Sequence, residues 1–360
     1  MSTTDNPANA AGDAAARDYV SVDIHSHLIP QLALERIPDG LKSERAPQGD
    51  KFSLVAEDIR SLARGVPRDL HDIDRHRARQ AERGVDLSII GPWMDAIKMP
   101  LDSQLQHKWC RVINESFAEL LDDSAHSRFV AGLPDLDGGA AAAELERAAE
   151  QGAVGGMLMA NPELGTLARR DFAPLWETAE RLGLPIILHP ASVDLDSRMR
   201  QHQANILVGN PFETTMAALS LIAGRIPERF PDLKIVLVHG GGFFPYQYGR
   251  MTAGFSRWPE LDSSKMLAPI DYVKWFYYDT VLFERPPLQY LIDVAGVDHV
   301  LAGSDCPFPM TDYEPYENPE HQLGLNEAET RAIVGGNAAA LFGLHPATAG
   351  SATDRIQVGA

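Results

Sequence analysis

The sequence predicts an α/β chain folded as a single (β/α)8 TIM barrel, on three observations. Short apolar or β-branched runs alternate with segments of helical period almost to the end of the chain. Eight such runs can be counted, and no Pro/Ser-rich linker or change of composition divides them. A doubly wound open sheet is the alternative, but it places a Gly-rich phosphate loop after its first strand, and here the first strand runs into His25-Ser26-His27.

Taken in order, strands are expected at 19–25, 87–91, 129–133, 156–159, 185–189, 234–239, 276–279 and 300–302. Helices are expected between them at 73–83, 104–125, 140–151, 172–182, 211–223 and 287–295. The stretch 28–56, with Pro, Gly and many charges, reads as an insertion after the first strand. In Asn210-Pro211-Phe212-Glu213 the Asn can cap exposed N–H groups, Pro suits the first helical position, and Glu completes a capping-box-like pattern. Gly84 and Gly183 follow helix ends and suit the left-handed conformation that stops a helix. Residues 1–18, rich in Ala with Asp, Asn and Thr, read as a mobile tail and 346–360 as a frayed one, which leaves a single catalytic domain over 19–345.

Composition narrows the function. The chain has 360 residues, 44% hydrophobic and 23% charged, enough to bury a full core. Its 32 Lys+Arg against 50 Asp+Glu give a net charge of −18, which argues against nucleic acid or a membrane surface as the main partner. A small anionic substrate would then need a local Arg or Lys to hold it. Cys110 and Cys306 make no C-x-x-C pair and no disulfide framework, so a reducing cytoplasm is expected. The N-terminus lacks a basic region followed by an apolar one, and the longest wholly apolar runs are far shorter than a membrane span needs.

The chemistry gathers at strand ends. Alternate residues of an extended strand share a face, so His25 and His27 can converge on one ion. His189 closes Pro-Ile-Ile-Leu-His, His239 closes Lys-Ile-Val-Leu-Val-His before three glycines, and Asp305 follows Val-Leu-Ala-Gly-Ser. These groups fall at the carboxyl ends of strands one, five, six and eight, the face on which barrel enzymes build their sites. Imidazoles with a carboxylate suit one divalent ion, zinc first and manganese second. Gly156-Met157-Leu158-Met159 offers neither a Lys for carboxylation nor a bridging carboxylate, which favours a mononuclear site. With five candidates and at most four ligands needed, one His is left for proton transfer. Seven other histidines, His71, His76, His107, His126, His299, His321 and His345, are expected to be solvated or locally hydrogen-bonded.

The chain resembles the metal-dependent amidohydrolase superfamily, in the branch typified by aminocarboxymuconate semialdehyde decarboxylase. The likeness rests on Asp-Ile-His-Ser-His-Leu-Ile-Pro (23 to 30), Leu-His-Pro (188 to 190), Glu-Thr-Thr (213 to 215), Phe-Pro-Asp-Leu-Lys (230 to 234), His-Gly-Gly-Gly (239 to 242), Gly-Arg (249 to 250) and Gly-Ser-Asp-Cys-Pro-Phe-Pro (303 to 309), and runs from Val22 to Leu344. It implies a barrel of amidohydrolase type, metal ligation by His25, His27, His189 and Asp305, and His239 as the general acid-base group. It also implies a homodimer in which Arg250 reaches a substrate carboxylate, with Arg64 as a second contact. Two departures bear on the substrate: Cys306 stands where the decarboxylase carries Tyr, and Gly91-Pro92-Trp93-Met94 differs from its pattern. The expected function is non-oxidative decarboxylation of a small conjugated or aromatic carboxylate. Hydrolysis of a lactone or amide, or hydration, on the same site is the alternative.

Overall fold

The structure is a computed structural model that describes residues 19–45, 51–56, 63–99, 101–122, 124–162, 166–191, 197–258, 269–346 and 356–358. Its strands, in chain order, are β1 (Val22–Leu28), β2 (Leu41–Arg45), β3 (Lys51–Ala56), β4 (Ala63–Pro67), β5 (Leu87–Pro92), β6 (Ser127–Phe129), β7 (Ala131–Gly132), β8 (Gly156–Met159), β9 (Ile186–His189), β10 (Ile235–Leu237), β11 (Tyr277–Asp279) and β12 (Val300–Leu301). Two parallel sheets run β1-β5-β6 and β12-β11-β10-β9-β8-β7. β6 and β7 are halves of one strand interrupted at Val130. The Val130 N–H donates to Ile90 O at 3.0 Å and the Ala131 N–H to Gly155 O at 2.9 Å, so the strand reaches both neighbours across the break. At the other seam the Ile24 N–H donates to Ala302 O at 3.0 Å and Ser26 bridges Cys306 in parallel. Every strand position expected from the sequence is therefore occupied in a ring of the (β/α)8 type.

Strands walled on both sides must be apolar, and they are. Ile24, Leu87, Ile89, Ile90, Leu158, Ile186, Ile187, Val236 and Leu301 are fully buried. The surrounding helices present apolar stripes to them, as in Ser103–Leu121, where Trp109, Ile113 and Phe117 recur at helical spacing in the core. Asp72, Asp102 and Asp137 cap the helices that follow them by accepting backbone N–H bonds. Gly183 ends Ala173–Leu182 at φ 66°, and Gly84 follows Ile73–Glu82 at φ 65°, both as expected.

Three readings change. The expected insertion at 28–56 carries β2 and β3 of an antiparallel sheet, β2-β3-β4, that extends past it to Pro67 and that the charged sequence did not suggest. Asn210 does not cap a helix. A π-helical turn, Asn205–Gly209, runs directly into Asn210–Ala223, so the preceding carbonyls already occupy the place of a cap. Third, part of the expected C-terminal tail is ordered: Ile356–Val358 pairs antiparallel with Leu344–Pro346. The N-terminal stretch 1–18 lies outside the described residues.

The helical stretch Asn205–Ala223 is, by length and composition, apolar enough to cross a membrane, and only about a third of it is buried. Thr214, Ala217, Ala218, Leu221 and Ile222 face the interior. Ile206, Leu207, Val208, Phe212 and Met216 are exposed, so this barrel helix is apolar on its outer side as well.

Candidate metal centre

The site begins with how β1 is fastened to the last barrel strand. Asp23 is fully buried and accepts from the His25 N–H at 3.1 Å, the Ser304 N–H at 3.0 Å and the Ser304 hydroxyl at 2.6 Å. Arg83 donates at 3.2 Å to Oδ2, the oxygen that also accepts from the Ser304 hydroxyl, with 4% of the arginine side chain exposed. A carboxylate this deep survives because its lone pairs are filled and its charge is matched. The Asp305 N–H then donates to His25 O at 2.8 Å and the His27 N–H to Cys306 O at 2.7 Å, which draws Asp305 against both histidines. His239 and Asp305 have left-handed backbones, φ 56° and 59°. That conformation costs a non-glycine residue roughly 1–2 kcal/mol, and here it turns both side chains onto the barrel mouth.

All five residues singled out at the strand ends meet there. His25 Nε2 lies 3.1 Å from His27 Nε2 and 3.3 Å from Asp305 Oδ1. His27 Nε2 is 3.2 Å and His189 Nε2 4.0 Å from the same oxygen, while His239 Nε2 is 3.6 Å from Asp305 Oδ2. Ligating atoms of His25, His189, His239 and Asp305 all lie within 4.8 Å of one another.

The donor set fits a cation. His25 Nδ1 lies 2.6 Å from Asp279 Oδ2 and His27 Nδ1 3.0 Å from Pro92 O. With Nδ1–H donating in each ring, both Nε2 atoms are left with lone pairs aimed at the same point. Two such lone pairs 3.1 Å apart repel unless something positive sits between them. Their separation is close to the roughly 3.3 Å expected between two nitrogens on one tetrahedral zinc. His189 Nδ1 and Nε2, His239 Nδ1 and Asp305 Oδ1 are buried without a hydrogen-bond partner among the described residues, a cost that ligation of a metal would remove.

The electrostatics agree. Burial works against a charge on His25, yet Asp305 and Asp279 raise it to about 10, so the centre attracts positive charge. Burial likewise opposes ionisation of Asp305, but His25, His189 and His239 hold it well below the usual carboxylate range. His189 is driven down to about 3 by burial and by His27 beside it, and burial lowers His27 as well, so both offer neutral rings.

Around this centre the other singled-out residues spread. Arg250 is exposed on the helix Phe244–Phe255 and has no hydrogen bond or ion pair among the described residues. Arg64 lies in β4 opposite Leu54, and its side chain is outside the described residues. Cys306 is buried beside the Asp23–Arg83 pair, and burial raises its thiol to about 11. Trp93 stands near Phe308 with ring centroids 6.5 Å apart, and Phe308 packs on His27 at 5.2 Å, so the departure at 91–94 contributes an aromatic ring close to the histidine cluster. His126 and His299 are hydrogen-bonded, but to carbonyls distant in sequence, Asp86 O and Phe276 O, which lie 40 and 23 residues away. His76 does not follow expectation. It is buried at 1% exposure, and burial with Arg83 and Arg79 nearby lowers it to about 3.

One residue of the site was missed. Asp279 ends β11, is fully buried and bonds His25 directly. Its signal was present in the sequence, since Asp279 closes the apolar run 276–279, but the His25 ring that gives it a role lies 254 residues earlier.

Residues 22–344 match the protein-family model described as Amidohydrolase. The chain belongs to the amidohydrolase family. Among relatives of this amidohydrolase, the 2-amino-3-carboxymuconate-6-semialdehyde decarboxylase of Dictyostelium discoideum is 34% identical over 174 residues, 48% of each chain. The alignment thus spans about half of that relative's length. A 2-keto-4-carboxy-3-hexenedioate hydratase of Sphingobium sp. is 26% identical over 72% of this chain and 79% of its own. A solved dihydroxybenzoic acid decarboxylase of Polaromonas sp. JS666, with bound manganese and the inhibitor 2-nitroresorcinol, aligns at TM-score 0.69 and 25% identity, over 90% of this chain and 97% of that one. The donor set around His25, His189, His239 and Asp305, together with a manganese-bound relative, supports a divalent-metal site in this amidohydrolase.

Proposed function

We propose that this amidohydrolase is a metal-dependent, non-oxidative decarboxylase of a small conjugated or aromatic carboxylate. The convergence of His25, His27, His189, His239 and Asp305, with the aromatic rings of Phe308 and Trp93 beside His27, carries the reading: a cation-binding cluster lies next to apolar aromatic side chains. His25, His27, His189 and Asp305 hold one divalent ion, zinc or manganese. When bound, that ion supplies a Lewis acid for a substrate oxygen. His239 then holds the proton. As the bond from the ring or chain carbon to the carboxylate breaks, its electron pair stays on the carbon, CO₂ leaves, and the proton from His239 takes its place.

Arg250 and Arg64 bind the anionic substrate, because a guanidinium fork gives a carboxylate two parallel hydrogen bonds. Arg250 does so from a second copy of the chain. It lies one helical turn beyond exposed Tyr246, next to an apolar face that includes Phe243, Phe212 and Met216. The Phe243 N–H donates to Thr215 Oγ1 at 2.8 Å, so the helices of this face are contiguous. A homodimer closed over that face would cover it and carry Arg250 to the neighbouring site.

The hydratase relative makes hydration the second reading. The metal-loaded protein should be tested against carboxylated phenols and conjugated dicarboxylates with detection of CO₂. Stoichiometric CO₂ supports the proposal, whereas a product that keeps its carboxylate and gains water replaces it with hydration or hydrolysis.

A further inference from the structure

Asp279 touches the centre in two places. One oxygen, Oδ2, lies 2.6 Å from His25 Nδ1. The other, Oδ1, accepts from the Gly240 N–H at 2.8 Å and the Val281 N–H at 3.2 Å. Gly240 directly follows His239 and has φ 59°, and a Cβ there would meet Leu282 at 2.6 Å. The turn that aims His239 is therefore fixed from one side by packing and from the other by Asp279. Gly303 makes room for the contact with His25. A Cβ at 303 would stand 3.0 Å from His25 Cβ and 3.1 Å from Asp279 Cβ.

We infer that Asp279 is a positioning residue that sets both halves of the centre, holding the proton of His25 on Nδ1 and anchoring the turn that presents His239. The first half follows from donor and acceptor arithmetic. A carboxylate at this position can only accept, so His25 must donate from Nδ1 and keep the Nε2 lone pair for the ion. The second half follows from connectivity, because the same carboxylate group bonds the backbone one residue past His239. A single side chain thus links a ligand on the first barrel strand to the group on the sixth that the proposed reaction uses for proton transfer. The inference rests on the metal reading for its consequence, though not for its geometry.

Asp279→Asn separates these roles. The amide oxygen can still accept from Gly240, but the amide nitrogen now donates toward His25, which must turn a lone pair to it and move its proton to Nε2. Two measurements follow on the purified protein. The first is zinc and manganese affinity by competition with a chromophoric chelator, with thermal melting to confirm folding. Affinity should fall about 10- to 100-fold. The second is the ¹⁵N spectrum of the His25 ring, which should show Nδ1 protonated in the wild type, with or without zinc, and unprotonated in the variant. Unchanged metal affinity in a folded Asp279→Asn protein overturns the inference, as does an unprotonated Nδ1 in the wild type. The wild-type spectrum decides the question even if the variant does not fold. A wild type that binds no ion would remove the metal reading, and the ring spectrum would still judge the role of Asp279.

Discussion

Replacing His239 with Asn separates a proton carrier from a ligand. Asn is the suitable substitution because the backbone at 239 has φ 56°, a conformation that Asn tolerates and Ala does not. The stability cost should be small. His239 Nε2 is 3.6 Å from Asp305 Oδ2, beyond a good hydrogen bond, and its Nδ1 is already unpartnered among the described residues. Little favourable contact is lost, and melting should change by no more than about 1 kcal/mol in stability. Turnover should change far more. General acid-base help is worth about 10²- to 10⁴-fold, or roughly 2.7–5.4 kcal/mol at 1.36 kcal/mol per decade. The assay is initial rate on metal-loaded protein, paired with elemental analysis of the same sample. The account requires a folded His239→Asn protein with its metal retained and its rate reduced by at least about 100-fold. A metal-free variant would make His239 a ligand, and a fully loaded variant with near-normal rate would refute its role in proton transfer.

Three further expectations concern the surrounding groups. The wild type should carry about one divalent ion per chain, and His25→Ala, His189→Ala and Asp305→Ala should each lose most of it, since each removes a donor from a site of four ligands; full retention in all three would disprove the ligand set. Arg250→Ala should lower kcat/KM by about one to two decades through loss of a charge-assisted contact of roughly 1.5–3 kcal/mol, and mixing it with His239→Asn subunits should restore activity only if Arg250 acts across a dimer. Cys306, buried with its thiol raised to about 11, should resist alkylation in the folded protein at pH 8, and rapid labelling there would contradict its position behind the Asp23–Arg83 pair.

The barrel was legible because its strands are buried on both faces and so appear as apolar runs, several of them ended or closely followed by a group that the fold delivers to its mouth. His189 and His239 close Ile-Ile-Leu and Ile-Val-Leu-Val, and the structure brings both to Asp305. What escaped depends on partners far away in sequence. Asp279 acquires its role from His25, 254 residues earlier, and no local pattern announces that meeting. His76 is polar and sits on a helix with Arg and Asp neighbours, yet its buried surroundings come from other elements. The β2-β3-β4 sheet hid in a segment where charged residues obscure any alternation. Asn210 looked like a cap because its own tetrapeptide suits one, and the preceding π-helical turn overrode it.

Proton transfer from His239 to the carbon that loses its carboxylate is the step on which the proposed decarboxylation turns. It is tested most directly by running the metal-loaded enzyme in D₂O with a carboxylated aromatic substrate and following both CO₂ and the product. One CO₂ should be released per product and one deuterium should appear at the carbon that carried the carboxylate, with both signals falling together in His239→Asn. A product that retains its carboxylate and has gained the elements of water, with no CO₂ released, would contradict it.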